Sequence, residues 1–402
     1  MRKLTVIFAG LLFAFAAAAQ ASQKIVSYES AFRGGAIVKS VESIGGQVTR
    51  QFKLIDALVA IFPDNIKDAS IYSLAGVTSV EEDKYIKWIE SEPLSMNAVA
   101  LPSLANAMRT VRANAGWEAS LPAAVRPVID PNDKEIPWGV KRVNAAGLWN
   151  FTEGAGIKVA IIDTGIDYTH PDLKANYAGG YNTIVTTAPP LDDHGHGTHV
   201  AGTVAAVRNA TGVVGVAPRA SIYAVKVLDK NGSGSYSNVM AGIEWAAQNK
   251  MQVINMSLGG GGVDEPMKKM MTAAYEAGVT IVCAAGNDSG PVNYPAKYPE
   301  AIAVSASDSS DKLASFSSKG PEIAVIAPGV NIYSTGKGGG YKTMSGTSMA
   351  CPHVAGLAAL AISAGASTPA AAREALVKAA AKLPGLKPTD QGAGMIDAAK
   401  FQ

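Results

Sequence analysis

The chain has 402 residues, a formal net charge of +2 and a charged fraction of 17%. That length accommodates one large domain and a smaller one, and charge so close to balance leaves no footprint for nucleic acid or for an anionic membrane surface. Forty-one glycines beside 48% hydrophobic residues and a low charged fraction exclude a disordered chain and suit a compact α/β protein.

Arg2 and Lys3 precede an apolar stretch, Leu4 to Ala19, which ends on Ala19-Gln20-Ala21. Basic start, apolar middle and small-residue end are the layout of a secretory signal peptide, residues 1–21, cut after Ala21. About 16 apolar residues fall short of the roughly 20 that span a bilayer. No later segment reads as a transmembrane helix, so the expectation is a secreted protein without a membrane anchor after signal cleavage. Whether export ends outside the cell or in a periplasm stays open.

Residues 22–88 read as a small independent unit. Lys24 to Tyr28 suits a strand, and Ala36 to Ile44 a helix closed by Gly45-Gly46. Strands are expected over Gln47 to Leu54 and Ala57 to Phe62, then a helix capped by Asp64 and running to Leu74, then a last strand over Val77 to Trp88. The order β-α-β-β-α-β is the ferredoxin-like motif. Residues 89–133, rich in Ala, Asn and Ser and broken by Pro93, Pro102, Pro122, Pro127 and Pro131, read as a linker and a place for proteolytic processing.

From 134 to 402, short apolar runs alternate with helical stretches. Strands are expected at Lys158 to Asp163, Ser221 to Val227, Val253 to Ser257, Thr280 to Ala285 and Ala301 to Ser305, with helices such as His196 to Val207 and Tyr236 to Asn249 between them. This alternation predicts a mostly parallel central sheet covered by helices on both faces. Ligand sites of such sheets gather at the C-terminal ends of strands, where Asp163, Ser257 and Asn287 stand.

Gly346-Thr347-Ser348-Met349-Ala350 precedes an apolar run, Cys351 to Ala364. A serine there presents a hydroxyl beside a helix N-terminus, where free N–H groups can hold an oxyanion. Pro352 is expected in the first turn, where a missing N–H breaks no intrahelical bond. A serine needs a base, and His196 in His196-Gly197-Thr198-His199 is the candidate. Asp163 in Ile161-Ile162-Asp163-Thr164-Gly165 would orient it. Alone, Asp-Thr-Gly and Gly-Asn-Asp are ordinary turns. His194, His196 and His199 with Asp192 and Asp193 also have the composition of a zinc cluster, which makes a metallohydrolase the competing enzyme reading.

The three blocks, in the order Asp, His, Ser, are similar to those of the subtilase family of serine endopeptidases. The resemblance covers nearly everything from Pro137 onward, and the stretch before it resembles the family's inhibitory propeptide. It implies a three-layer catalytic domain after a ferredoxin-like prodomain, a zymogen activated by propeptide removal, and a monomer acting on protein or peptide substrates, its own propeptide serving as intramolecular inhibitor. Asp163, His196 and Ser348 would form the triad, and Asn287 in Ala284-Ala285-Gly286-Asn287 would supply the second oxyanion donor. A catalytically dead relative that binds peptides is the alternative of another class.

The resemblance further implies two edge segments that clamp an extended substrate, Gly232-Ser233-Gly234 and Ser257-Leu258-Gly259. Tyr236 and Leu258 would line an apolar subsite, while Gly259, Ala284 and Gly286 would wall the pocket before the cut. Walls that small predict broad activity favouring large apolar residues. A structural calcium is implied at Asp172, the carbonyls of Val207, Thr211 and Val213, and the Asn209 side chain. The family's glutamine ligand falls at Lys134, a departure for which Asp133 is a substitute. Cys283 and Cys351 are either bridged or two core thiols.

Overall fold

The computed structural model describes residues 21–89 and 135–401. Nearly all of the expected signal segment and linker, with Asp133 and Lys134, therefore lie outside the described residues. The described chain divides into two compact units, residues 21–52 with 56–83, and residues 53–55 with 84–401.

The first unit runs β1 (Ala21–Tyr28), α1 (Gly35–Ser43), β2 (Gln47–Gln51), β3 (Ala57–Pro63), α2 (Asp68–Tyr72) and β4 (Val77–Glu82). Its strands pair antiparallel in the order β2-β3-β1-β4, the ferredoxin-like arrangement expected. One face buries Val26, Leu58 and Phe62 against Ile37 and Val41 of α1 and Ile71 of α2. Two expectations are corrected. Asp64 caps nothing, because the chain first turns at Pro63–Ile66 and α2 starts only at Asp68. The strand expected over Val77 to Trp88 is two strands, β4 and β5 (Tyr85–Lys87), which lie in different sheets.

The second unit takes in β5 and continues with α3 (Trp138–Arg142), β6 (Lys158–Asp163), β7 (Tyr177–Asn182), α4 (His196–Ala205), β8 (Ser221–Lys226), β9 (Ser233–Ser235) and α5 (Tyr236–Gln248). Then come β10 (Val253–Met256), α6 (Glu265–Glu276), β11 (Thr280–Ala284), β12 (Ala301–Ser307), β13 (Ile323–Pro328), β14 (Ile332–Gly336) and β15 (Gly340–Met344). It closes with α7 (Thr347–Ser363), α8 (Pro369–Lys378), β16 (Ala380–Ala381), α9 (Pro388–Gln391) and β17 (Met395–Ile396).

The main sheet has the order β16-β17-β13-β12-β11-β10-β6-β8-β7. Every pairing is parallel except β16–β17. Central strands such as Val159 to Ile162 are buried on both faces, which is why they read as continuous apolar runs rather than alternating ones. The strand order reverses beside β6, whose neighbours are β8 on one side and β10 on the other. Such a switch point leaves a crevice at the strands' C-terminal ends. Helix α7 is buried from Thr347 to Ala361 and, being apolar all round, occupies the core as a central helix should. The antiparallel hairpin β14–β15 is tied to α4, where Thr335 Oγ1 and Ser334 Oγ donate to the carbonyls of Thr198 and His199. Among the described residues no helix is long and apolar enough to cross a membrane.

Candidate active site

The C-terminal end of β6 places Asp163 in the crevice, fully buried. Its carbonyl accepts the Val227 and Leu228 N–H groups, which fixes the residue to the end of β8. Its carboxylate accepts the Thr164 N–H at 2.7 Å and meets His196 Nδ1 at 2.8 and 3.0 Å through its two oxygens. A carboxylate at Nδ1 holds the proton there and leaves Nε2 as the base.

His196 is the first residue of α4. The helix comes this close to β6 because residue 197 is glycine: a β-carbon there would lie 2.1 Å from the Gly165 carbonyl oxygen. The first turn is capped by side chains. Gly197 N–H donates to Thr164 Oγ1 and Thr198 N–H to Asp192 Oδ2, each at 3.0 Å. The buried Asp192 also accepts from Thr164 Oγ1, Thr198 Oγ1 and the His194 and Gly195 N–H groups. The pattern Asp192-x-x-x-His196 is the one signal in the sequence from which this clamp could have been read.

Ser348 is the second residue of α7, preceded by Gly346 at φ 154°, a backbone angle that side chains other than glycine's rarely tolerate. Ser348 Oγ donates to the Ser257 carbonyl at 3.1 Å, and Ser257 Oγ donates to the Ser348 carbonyl at 2.8 Å. The second bond exists because of Pro352. The helix begins at Thr347, four residues before the apolar run, so Pro352 is its sixth residue and not in the first turn. Its missing N–H is the one that would have bonded the Ser348 carbonyl, which is thereby free for Ser257.

Two donors surround the serine. The amide of Asn287 uses Oδ1 to accept from Thr347 N–H at 2.8 Å and Thr347 Oγ1 at 3.0 Å. Among the described residues neither Asn287 Nδ2 nor the Ser348 N–H is recorded with an acceptor. An amide held by its oxygen has its nitrogen aimed outward, beside a helix N-terminus that carries partial positive charge.

The subtilase family matches residues 154–395, which contain all four of these residues. The chain belongs to the subtilase family. Subtilisin E of Bacillus subtilis (strain 168) is 51% identical over 238 residues, covering 57% of this chain and 62% of its own. A subtilisin of Bacillus pumilus is 50% identical over 238 residues, covering 57% of this chain and 86% of its own. A thermostable alkaline protease of Halalkalibacterium halodurans is 51% identical over 227 residues, covering 56% and 62%. The matched part of this subtilase thus spans about 62% of the length of several of its curated relatives.

In this subtilase the expected edge segments flank the strand β5. Tyr85, Ile86 and Lys87 pair antiparallel with Ser235, Gly234 and Ser233 of β9. The Trp88 and Ile89 N–H groups donate to the Gly232 carbonyl, and the Gly259 N–H donates to the Trp88 carbonyl. The Trp88 indole donates to the Gly234 carbonyl at 2.9 Å and packs on Tyr236, centroids 4.9 Å apart. Leu258 is buried. Gly259, Ala284 and Gly286 share one neighbourhood around Asn293: a β-carbon on Gly259 would lie 3.5 Å from Asn293 Cβ and 3.9 Å from the Ala284 carbonyl, and one on Gly286 would meet Asn293 Nδ2 at 2.5 Å.

The zinc-like cluster does not converge. His199 is fully buried with Nε2 on the Ile332 and Lys342 carbonyls, and His194 Nδ1 accepts the His196 N–H. Asp192 is spent on the α4 cap, and Asp193 pairs with Lys226 at 2.6 Å. Among the described residues no three His, Cys, Asp or Glu side chains gather as a metal would require. The two cysteines are free thiols, both buried, and burial pushes both thiols up.

At the expected calcium site, the fully buried Asp172 accepts from Asn209 Nδ2, Val213 N–H and Tyr341 Oη at 2.9–3.2 Å. Beside it the buried Glu135, absent from the sequence expectation, accepts the Asn209 and Ala210 N–H groups. Among the described residues no hydrogen bond is recorded to the carbonyls of Val207, Thr211 or Val213. Carboxylates with unused carbonyls are an oxygen-only donor set, the kind that suits a hard cation. Asn209 turns its nitrogen, not its oxygen, toward Asp172, so ligation through Oδ1 requires the amide reversed.

Proposed function

We propose that this protein is a secreted serine endopeptidase made as an inactive precursor. The observation that carries the reading is the buried Asp163–His196 pair at a switch point that also holds Ser348 on a helix start with two uncommitted donors. In this reading Ser348 Oγ leaves its bond to the Ser257 carbonyl and gives its proton to His196 Nε2 as it attacks a peptide carbonyl carbon. Asp163 stabilises the imidazolium that forms. The Ser348 N–H and Asn287 Nδ2 hold the carbonyl oxygen as it becomes an oxyanion. The imidazolium then protonates the leaving amine, the acyl-enzyme remains on Ser348, and a water activated by His196 hydrolyses it.

An extended peptide adds as a strand between Gly232–Gly234 and Leu258–Gly259, bound through its main chain and therefore with little sequence preference. Small walls at Gly259, Ala284 and Gly286 favour a large apolar side chain before the cut. Residues 85–89 already make these main-chain bonds, which supports their role as a built-in inhibitor that leaves when the precursor is processed. The enzyme acts as a monomer. The decisive experiment expresses residues 22–402 beside a Ser348→Ala version and follows intact mass with and without a fluorophosphonate. Loss of roughly 100 residues and gain of one phosphonyl group by the wild type alone supports the reading. Two folded, full-length, unlabelled proteins would sink it.

We also infer that Asp172, Asn209 and the carbonyls of Val207, Thr211 and Val213, with Glu135 close by, hold a calcium ion. When bound it would tie the loop after α4 to the body of the domain. In the Ser348→Ala protein calcium should raise the thermal midpoint by about 5 °C or more at saturating ion, and Asp172→Ala should abolish that rise. A midpoint indifferent to calcium would count against the site.

A further inference from the structure

We infer that Asn255 and Cys351 are positioning residues for the nucleophile: the Cys351 thiol sets the direction of a buried hydrogen-bond chain that runs through Asn255 and Ser257 to the Ser348 carbonyl. The inference deepens the endopeptidase reading and rests on it. Asn255 is a polar residue in β10, a strand buried along its whole length. A fully buried amide there is costly unless both of its ends are bonded.

Both ends are bonded here. The Cys351 thiol donates to Asn255 Oδ1 at 3.3 Å, and Asn255 Nδ2 donates to Ser257 Oγ at 2.9 Å. Ser257 Oγ then donates to the Ser348 carbonyl at 2.8 Å. Asn255, Ser257 and Cys351 are fully buried, so bulk water does not compete for these bonds.

The direction of the chain is forced from its far end. Pro352 has no N–H to give the Ser348 carbonyl, and Ser257 Oγ takes that place. Ser257 has one hydroxyl hydrogen, so once it is spent on the carbonyl the oxygen can only accept from Asn255. The amide must therefore turn Nδ2 to Ser257 and Oδ1 to Cys351, whose thiol has to donate. The thiol also lies 3.4 Å from the Val282 carbonyl, but Val282 sits in a strand paired on both sides. Among the described residues no other donor to Asn255 Oδ1 is recorded. Burial, with the Asp163 charge adding to it, pushes the Cys351 thiol up, so the donor keeps its hydrogen at neutral pH.

The chain ends on the residue that carries the nucleophile. Ser348 Oγ donates in return to the Ser257 carbonyl at 3.1 Å, so two bonds of opposite sense join the start of α7 to residues 257–259, along which a peptide would lie. When Ser348 Oγ leaves its bond to attack, the bond to the Ser348 carbonyl is the one of the two that remains. It keeps the attacking oxygen in register with His196 and Asn287. Without the thiol, the Asn255 amide is free to turn over and present Oδ1 to Ser257. The Ser257 hydrogen is then drawn away, and the Ser348 carbonyl loses its donor.

The test uses the matured enzyme and a quenched peptide, with every rate normalised to the number of sites a fluorophosphonate labels at completion, so unfolded material does not count. Cys351→Ala removes the donor, whereas Cys351→Ser keeps one. The alanine variant should lose about threefold to tenfold in kcat with KM unchanged, the scale of one neutral hydrogen bond. The serine variant should stay within about twofold of wild type. In a Ser257→Ala background the chain is already cut, so Cys351→Ala should cost less than about twofold more. Equal kcat in the alanine and serine variants, a loss in KM alone, or a full further loss in the Ser257→Ala background overturns the inference while leaving the protease reading intact. If the wild type cuts no peptide and the phosphonate does not label Ser348, both fall together.

Discussion

The helices that begin at His196 and Thr347 invite comparison, because each follows a glycine and each delivers one reactive side chain to the same crevice. They treat their N-termini in opposite ways. At α4 the Gly197 and Thr198 N–H groups end on Thr164 and Asp192, and the His196 N–H on His194. At α7 the Thr347 N–H is taken by Asn287, but among the described residues the Ser348 N–H meets no acceptor. A closed terminus fixes an imidazole against its carboxylate. An open one keeps a donor and the helix dipole for charge that appears only during reaction. The same local element thus serves positioning in one place and stabilisation in the other.

The sharpest way to break the comparison is at Asn287, whose two ends do different work. Asn287→Ala should lower kcat by about a hundredfold to a thousandfold, with KM little changed, because the lost donor acts only on the oxyanion. Asn287→Asp keeps an acceptor for Thr347 while removing the donor, and should fall at least as far. Wild-type kcat in the Asp variant would show that the cap on α7, not the donor, was what mattered.

A smaller effect, of a different kind, is expected at the closed terminus. Asp192 is buried and collects five hydrogen bonds. Asp192→Asn puts an NH2 donor where only acceptors are wanted, so at least one buried N–H or O–H loses its partner. In the Ser348→Ala protein this should cost about 2 kcal/mol or more in denaturant unfolding. An unchanged midpoint would mean that the α4 cap is not what holds His196 in place.

These two termini also mark where the sequence was legible. Asp163, His196, Ser348 and Asn287 were readable as motif residues, and the runs at β6, β8, β10, β11 and β12 appear within one or two residues of expectation, since strands buried on both faces must be continuously apolar. Edge and partner-dependent elements were not. Tyr177–Asn182 is an outer strand with two glycines, and Gly336 to Gly340 turn a hairpin with no apolar period. Ile323–Pro328 carries the same apolar signal as its neighbours, yet no strand is expected there. The break between β4 and β5 falls at Asp83-Lys84, where a lone Asp without Gly or Pro does not announce that the partner strand changes. The caps by Thr164 and Asp192, the Glu135 carboxylate beside Asp172, and the bond that Pro352 frees for Ser257 depend on residues far apart in sequence.

The smallest expected effect concerns a liability the two helices share. Each buries one histidine completely, His199 in α4 and His353 in α7. Their bonded nitrogens face carbonyls, of Ile332 and Lys342 for His199 and of Met349 for His353, so those nitrogens must carry the proton. Among the described residues the other nitrogen of each has no partner. Burial pushes His353 down to about 4, and burial, with the His196 and Lys342 charges adding to it, pushes His199 down to about 3. In the unfolded chain both titrate near 6.5. As pH falls below that value the unfolded state takes up protons that the folded state refuses, so stability falls with pH until roughly 4 for His353 and 3 for His199. The slope should be on the order of 1 kcal/mol per pH unit for each histidine. In the Ser348→Ala protein, His353→Gln should remove one histidine's share of the slope between pH 6 and 4.5, whatever it does to the midpoint at pH 7. If the slope in that interval is the same with and without His353, the imidazole is not neutral in the folded helix, and the resemblance between the two buried histidines ends there.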